Sequence, residues 1–417
     1  MAVATNDKLG LYLSIPFCRS KCTYCNFASG VYPASDHARY VNRVTDDLKG
    51  AGAWAEKMGL ELPRTVDTVY LGGGTPSLLA PELIAQLFAA MRATFDFETD
   101  AEITVECAPG QLADETLKAL AQVGVNRVSL GVQSFIDREA HVSGRLHSRS
   151  VVLDDLRRLR AGGITNLNVD LIAGLAGQTF ESWDESLSVL IDCGVSHASV
   201  YMLEVDEDSR LGREMLAGGT KYHAELVPGD DAIAQMYEVA IERLAKAGLQ
   251  QYEISNFARM GFRSRHNLRY WERRPYLGAG LDASSALSAS DAPSGEKDQV
   301  GSYVLRSTTT DDLGAYLAGP QPVETAWLSP ERRHEEAWFL GLRLNAGIKL
   351  AALRREFGRG PVAHAVETVA KLVDAGLLTM DGKTVRLTAK GRLLSNDVFQ
   401  EFLGVADERR VSEGVGV

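Results

Sequence analysis

The chain contains 417 residues, of which 45% are hydrophobic and 24% charged, an ordinary composition for a soluble globular protein. Its net charge of −11 argues against non-specific binding to nucleic acid or to an anionic membrane. No stretch approaches about 18 uncharged apolar residues, and residues 1–10 lack a secretory signal pattern. These features predict a cytoplasmic protein with reduced thiols.

Short apolar runs alternate with amphipathic stretches through the first half of the chain. This alternation is typical of βαβ units and a parallel sheet. Six such units fit a partial (β/α)6 barrel, in which chemistry gathers at the C-terminal ends of the strands. The predicted strands are 11–15, 66–71, 102–106, 127–132, 168–172 and 198–203, and the predicted helices include 81–93, 114–122 and 151–161.

The first predicted strand leads into three cysteines, Cys18, Cys22 and Cys25, with the spacing C-x3-C-x2-C. A short loop with three soft thiolate ligands can bind three irons of a [4Fe–4S] cluster and leave the fourth iron open. A disulfide is one alternative, which the odd number of thiols disfavours. A zinc site with His37 as the fourth ligand is another. Zinc sites usually carry two C-x2-C pairs, and the sequence has no second pair, so the cluster is favoured.

Residues 14–25, with the sequence SIPFCRSKCTYC, resemble the signature of radical S-adenosylmethionine (SAM) proteins. The similar branch contains the oxygen-independent coproporphyrinogen III oxidases. The resemblance implies that SAM chelates the open iron and that one electron from the cluster cleaves the sulfonium to a 5′-deoxyadenosyl radical. It also implies the partial barrel and places Tyr24 beside the cofactor. Tyr12, in the preceding strand, is likewise predicted to contact the cofactor.

The second predicted strand ends in a glycine-rich run at 72–76, with the sequence GGGTP. Glycines let the backbone approach a ligand closely, and Pro76 can open the next helix. Taken alone, the run is a tight strand-to-helix turn, and it lacks the G-x-G-x-x-G dinucleotide pattern. Beside the cysteines, it resembles the radical SAM segment whose backbone binds the methionine amino group. The resemblance therefore implies Gly73, Gly74 and Thr75 as SAM contacts.

Four polar residues lie near the ends of later strands: Glu106, Gln133, Arg145 and Asp170. Each alone could be a structural polar group. Together they place two carboxylates, an amide and a guanidinium around one rim, which suits the hydroxyl groups and the carboxylate of SAM. The resemblance matches all four to SAM-contacting positions. The run 172–179 lacks the tyrosine and the proline usual in the family, so no substrate contact is assigned there.

Residues 250–285 combine arginines with aromatic side chains. Such a segment could bind nucleic acid, form a solvated basic loop, or bind haem, with arginines on the propionates and His266 on the iron. The runs 252–258 and 266–271 resemble the haem chaperone branch, called HemW-type, rather than the oxidases, which carry a fourth cysteine where this chain has Phe27. The match covers about residues 9–404. Asp282 and Ser284 stand where the family usually has glycine and histidine.

The last quarter of the chain changes pattern. Residues 284–299 are predicted to form a surface loop, and the sequence then indicates helix, helix, hairpin and helix, which resembles a winged-helix module. Asp381-Gly382 predicts the hairpin turn, and Thr388 is predicted to cap the last helix. We therefore predict a radical SAM core at 1–325, which includes a haem-associated segment at 250–285. A C-terminal winged-helix-like domain at 326–405 is predicted to act as a lid, and residues 406–417 are predicted to form a disordered tail.

The resemblance implies a haem chaperone that binds a [4Fe–4S] cluster, SAM and haem, and delivers haem to a recipient haem protein such as a respiratory one. It also implies an electron donor such as flavodoxin or ferredoxin, leaves peripheral membrane association and a homodimer open, and gives no nucleic-acid partner. The alternative is an enzyme, either a coproporphyrinogen III dehydrogenase or a radical SAM methyltransferase. Radical decarboxylation needs two porphyrin carboxylates near the 5′ carbon of SAM, and no sequence feature indicates such a site.

Overall fold

A computed structural model describes residues 8–289, 303–319 and 324–403 of the chain. The strands are β1 Leu9–Ile15, β2 Thr65–Gly73, β3 Asp96–Cys107, β4 Arg127–Gln133, β5 Asn166–Ala173, β6 His197–Met202, β7 Gln250–Gln251, β8 Asn256–Ala258, β9 Tyr276–Gly280, β10 Ser284–Ala289, β11 Tyr303–Thr308, β12 Glu324–Leu328, β13 Ile348–Lys349, β14 Leu378–Asp381 and β15 Thr384–Leu387. The α-helices are α1 Ala34–Lys57, α2 Pro81–Thr94, α3 Asp114–Gln122, α4 Asp137–Val142, α5 Arg149–Ala161, α6 Phe180–Asp192, α7 Arg210–Ala217, α8 Asp230–Lys246, α9 Arg265–Trp271, α10 Leu313–Ala318, α11 Pro330–Leu342, α12 Leu350–Phe357, α13 Arg359–Asp374, α14 Ala389–Leu393 and α15 Ser395–Gln400.

Strands β1 to β6 lie side by side in chain order and are parallel throughout. Helices lie between successive strands in the chain, as the predicted alternation requires. The arrangement confirms the partial (β/α)6 barrel. The six predicted strands match β1 to β6 within a few residues at each end, except that β3 begins at Asp96 rather than at residue 102.

The two faces of the barrel wall differ in chemistry because side chains alternate along each strand. In β1, the leucines and the isoleucine at every second position are 0% exposed and belong to the hydrophobic core under the helices. The intervening positions of β2 to β6 point into the barrel and are mostly polar: Thr68, Tyr70, Glu102, Thr104, Glu106, Arg127, Ser129, Asn168, Asp170, His197 and Ser199. A polar interior favours a ligand site over a purely apolar core.

The sheet continues past β1. Strand β9 pairs in parallel with β1, and β10, β11 and β12 follow as antiparallel neighbours. The predicted surface loop is therefore wrong at its start, because Ser284–Ala289 is the strand β10; residues 290–299 lie outside the described residues. Asp282, in the turn before β10, has a φ of 52°, a left-handed conformation that favours the glycine usual in the family.

A second hydrophobic core lies in the C-terminal part of the chain, around Trp338, Val369 and Val385. Helices α12 and α13 precede the β14–β15 hairpin, and β13 adds a third strand beside β15. Thr388 caps α14 as predicted, since its hydroxyl accepts the Gly391 N–H at 2.9 Å. The hairpin loop is residues 382–383 rather than 381–382, because Asp381 pairs with Thr384.

The predicted domain boundary at 325/326 falls inside β12, which pairs with β11 of the main sheet. We propose that the division between the two parts of the chain lies after Leu328, where β12 ends. The predicted tail at 406–417 lies outside the described residues. In the described parts of the chain, none of the helices has both the length and the apolar composition needed to cross a membrane.

Candidate functional site

The three clustered cysteines lie on the loop after β1, at the C-terminal edge of the parallel strands. Cys18, Cys22 and Cys25 are all half-buried and line one cavity of about 620 Å³. Small-molecule sites typically have volumes of roughly 300–1,000 Å³. All three predicted metal-ligating cysteines are therefore brought to the mouth of a cavity that a cofactor of ordinary size can enter.

Backbone hydrogen bonds fix this cysteine loop from two sides. The N–H groups of Gly74 and Thr75 donate to carbonyls of Ile15 and Phe17 at 2.9 and 2.8 Å. A Cβ atom at Gly74 would lie 2.7 Å from the Ile15 carbonyl oxygen, so only glycine fits there without a shift. The glycine-rich run therefore holds the cysteine loop in addition to its predicted contact with SAM.

The other side of the loop packs on the connection between α4 and α5. Thr23 donates its N–H to the Ser143 carbonyl at 3.1 Å. Gly144 has a φ of 89°, and a Cβ atom there would lie 3.1 Å from the Cys22 Cα. The thiols are thus carried on a loop that is anchored before any ligand binds, which lowers the conformational cost of binding.

A cluster and a single metal ion make different demands on their ligands. Among the described residues, no three His, Cys, Asp or Glu side chains converge as the ligands of one ion must. A cubane needs no such convergence, because each thiolate binds a different iron. His37 stacks on the Phe17 ring, with ring centroids 3.9 Å apart, so the zinc alternative gains no support. Burial raises the pKa of the Cys18 thiol, which favours its protonated form until a cation is bound.

Glu106 lies beneath the glycine-rich run and connects it to the barrel wall. It accepts the Gly73 N–H at 3.1 Å on one oxygen and the Tyr70 hydroxyl at 2.8 Å on the other. Burial raises the Glu106 pKa to about 7, even though the Tyr70 hydrogen bond opposes the shift. A cationic ligand group placed beside a carboxyl group with this pKa favours its ionised form.

Gln133 and Arg145 line the same cavity as Glu106. The pairing of β4 with β5 shifts register between Gly131 and Gln133, and Gln133 has a φ of 71°. Such bulges redirect a side chain at a cost of about 1–3 kcal/mol, which the surrounding structure offsets. Arg145 donates to the Gly131 carbonyl. The Gln133 Oε1 and Arg145 Nε atoms are buried and have no hydrogen-bond partner among the described residues, so both are open to a ligand.

Asp170 completes the set from the middle of β5. It accepts hydrogen bonds from Ser129 at 3.0 Å and from Asn168 at 2.7 Å, and burial raises its pKa. Tyr24 lines the same cavity. Tyr12 does not line the cavity and stacks on Tyr70 instead, with ring centroids 6.2 Å apart.

His266 lies at the opposite end of the barrel from the cysteines, on α9. The side chain is 1% exposed, and its two ring nitrogens lie 3.0 Å from the Thr68 hydroxyl and 2.9 Å from the Tyr270 hydroxyl. Burial lowers the His266 pKa to about 3. Neither nitrogen is free for iron, so the structure argues against the predicted role of His266 as a haem ligand.

Three arginines of the segment 250–285 are also occupied. Arg269 and Arg274 pair with the buried Asp67, and Arg273 pairs with Glu356 at 2.8 Å. Two backbone N–H groups at the start of α9 donate to Glu102 at 3.0 Å. Helix α9 therefore closes the floor of the barrel, and these ion pairs and hydrogen bonds hold it there.

Several polar residues of the cavity were not predicted from the sequence. Ser129, Asn168, Ser199 and Arg127 line it together with Asp170. The signal was present, since all lie at the alternate positions of predicted strands that face the barrel interior. The apolar residues between them made these strands look like continuous buried runs.

Comparison with known proteins agrees with the fold. Residues 12–190 match the model of the radical SAM superfamily, and residues 328–394 match the HemN C-terminal domain. The coproporphyrinogen III oxidase HemN from Escherichia coli superposes with a TM-score of 0.78 at 22% identity, over 95% of this chain and 90% of that one. The chain is thus a radical SAM protein by fold and by sequence.

Full-length relatives give the family more narrowly. The heme chaperones HemW of Lactococcus lactis and Bacillus subtilis are each 32% identical over 94% of this chain, covering 96% and 98% of their own lengths. The mitochondrial radical S-adenosyl methionine domain-containing protein 1 of Bos taurus is 28% identical over 97% of this chain and 89% of its own length. The chain belongs to the HemW family, as the predicted resemblance indicated.

Proposed function

We propose that this protein is a haem chaperone that binds a [4Fe–4S] cluster, SAM and haem, and delivers haem to a recipient haem protein. The observation that carries the proposal is the common cavity: three half-buried thiols of one loop face the same space as Glu106 and Asp170. The full-length relatives named as heme chaperones support the haem part of the proposal.

The donor set fits the two resident cofactors. Cys18, Cys22 and Cys25 would hold three irons, and the cluster would supply an open iron and one electron. The remaining contacts would hold SAM: the backbone of Gly73, Gly74 and Thr75, with Glu106, Gln133, Arg145, Asp170 and Tyr24. Tyr12 would contribute through Tyr70, on which it stacks.

The chemistry of each contact follows from its charge and its partners. Glu106 would stabilise the positive charge of SAM, since its ionised form lacks a cationic partner among the described residues. Arg145 would hold a carboxylate with its unpaired Nε–H. Asp170, already oriented by Ser129 and Asn168, would accept a ribose hydroxyl.

A transfer assay tests the proposal directly. Protein loaded with one equivalent of haem is mixed anaerobically with an apo haem protein of the b type, and the two are separated and assayed by their absorbance spectra. The proposal predicts that haem appears on the recipient faster than from haem bound to serum albumin. Equal rates from the two donors would contradict a chaperone role.

The enzymatic alternative is tested in the same preparation. Reduced protein incubated with SAM and coproporphyrinogen III is expected to yield no protoporphyrinogen. Formation of that product would replace the chaperone proposal with the oxidase. The electron donor, the homodimer, the membrane association and the respiratory recipient stay predictions.

A further inference from the structure

Arg127 is a buried cation that the proposed cofactor contacts do not use. It is the first residue of β4, and its side chain points into the barrel and lines the cavity with Ser129 and Asp170. The residue is 1% exposed. Its guanidinium makes no hydrogen bond or ion pair with any residue in 8–289, 303–319 or 324–403, and its Nε atom is fully buried.

A second buried arginine in the same barrel shows the usual arrangement. Arg269 is 0% exposed, and it pairs with Asp67 and donates to the carbonyls of Lys8 and Pro275 at 2.7 and 2.8 Å. Buried charges are normally paired in this way, because removing a charge from water without compensation costs several kcal/mol. Arg127 breaks this rule in the part of the chain that the structure describes.

The groups around Arg127 do not neutralise it. Asp170 lies beyond ion-pair distance of Arg127, and its oxygens already accept from Ser129 and Asn168. Burial and then the charge of Arg127 lower the pKa of His197 well below its usual range, so this neighbour is neutral. His266, on the floor of the barrel, is neutral for similar reasons.

Two other side chains of the cavity also indicate a polar ligand. Gln133 Oε1 and Arg343 Nε are also buried without a hydrogen-bond partner among the described residues, and both residues line this cavity with Arg127. Native structures seldom leave several such atoms around one space unless water or a ligand meets them. The strongest of these groups is a cation with several N–H donors, which matches an oxyanion.

We propose that Arg127 is an anion-binding residue at the inner end of the cavity and that it receives a carboxylate of a bound ligand. The inference rests on the proposed function for the source of that carboxylate, a propionate of haem, since the single carboxylate of SAM is already assigned to Arg145 beside the cysteine loop. A planar guanidinium binds a carboxylate through two parallel hydrogen bonds. Arg127 would then fix how deeply the ligand enters the barrel.

Ligand titrations of Arg127→Met and Arg127→Lys test the proposal, with SAM as the comparison ligand. Haem and haem dimethyl ester, which lacks free carboxylates, are titrated by absorbance, and SAM is measured by equilibrium dialysis with the cluster reconstituted. Arg127→Met is expected to weaken haem binding by about tenfold or more, with Arg127→Lys intermediate. A loss for haem but not for its dimethyl ester supports the propionate contact, and a loss for SAM alone would overturn it.

Stability of the ligand-free protein distinguishes ligand binding from a structural role. Removing an uncompensated buried charge should leave the thermal midpoint of Arg127→Met unchanged or higher, while Arg64→Met, at an exposed arginine, controls for the handling of the variants. A lower thermal midpoint of Arg127→Met with unchanged ligand affinities would overturn the inference. Equal losses of affinity for haem and for its dimethyl ester, with SAM affinity unaffected, would also overturn it. Absence of haem and SAM binding in the unmodified protein would overturn the proposed function as well.

Discussion

His266→Ala tests whether His266 has a structural role rather than the role of a haem ligand. The substitution removes a buried ring whose two nitrogens meet the hydroxyls of Thr68 and Tyr270 at 3.0 and 2.9 Å. A buried polar group left without its partner costs about 1–3 kcal/mol. The Thr68 hydroxyl also lies within reach of Arg269 at 3.2 Å, and Tyr270 is only half-buried, so both recover part of this cost.

The lost ring also leaves a cavity, for which large-to-small substitutions in cores typically cost about 2–5 kcal/mol in total. Together these effects predict that His266→Ala lowers the free energy of unfolding by about 2–4 kcal/mol. Urea denaturation measures the loss, with an unchanged slope showing that the denatured state is unaffected. His266→Gln, which keeps two polar atoms, is expected to lose less.

The same variants are then titrated with haem under conditions in which both remain folded. Because His266 is 1% exposed and hydrogen-bonded at both nitrogens, haem affinity and the position of the Soret band should match the unmodified protein. A lost or shifted Soret band in His266→Ala, with the free energy of unfolding unchanged, would show that His266 does ligate the haem iron.

Two further predictions concern the cysteine side of the barrel. Glu106 keeps its proton in the native state between its usual pKa of 4.5 and about 7, so its contribution to stability falls as pH rises through that window. The urea midpoint of Glu106→Gln should therefore depend less on pH across this window than that of the unmodified protein. An equal pH dependence in the two proteins would contradict the shifted pKa. Gly74→Ala should displace the cysteine loop, because the new Cβ would lie 2.7 Å from the Ile15 carbonyl oxygen, and reconstituted iron per chain should fall. Gly52→Ala, in α1 with no atom within 4 Å of the new Cβ, is the control and should gain about 0.5–1 kcal/mol without loss of iron; equal iron in both variants would count against the role of Gly74.

Sequence patterns predicted the barrel because its six parallel strands carry β-branched and leucine-rich runs between amphipathic helices. They did not predict β10. Ser284–Ala289 is composed of serine, alanine and leucine, which have low strand propensity, and its pairing with β11 decides its conformation. Long-range pairing of this kind has no local signal in the chain.

The site residues that follow a sequence motif or a strand pattern were predictable. Those whose role depends on partners far away in the chain were less so. The cysteines and Asp170 follow strand ends or strand positions that the sequence reveals. His266 was predicted as a haem ligand because basic and aromatic residues surround it, yet one of its ring nitrogens is hydrogen-bonded to Thr68, which lies 198 residues away in the chain. Arg127 was overlooked because a single charge at the start of an apolar strand is normally a solvated end.

The SAM contacts and the haem proposal both depend on three thiols that bind a cluster with one iron open to SAM. Electron paramagnetic resonance of the anaerobically reconstituted, reduced protein, recorded with and without SAM, tests this requirement most directly, with Cys22→Ala and the distant Cys193→Ala as paired variants. We expect a cluster signal that shifts when SAM is added, is lost in Cys22→Ala and is kept in Cys193→Ala. A preparation that holds zinc, a cluster signal that does not respond to SAM, or full iron content in Cys22→Ala would contradict it.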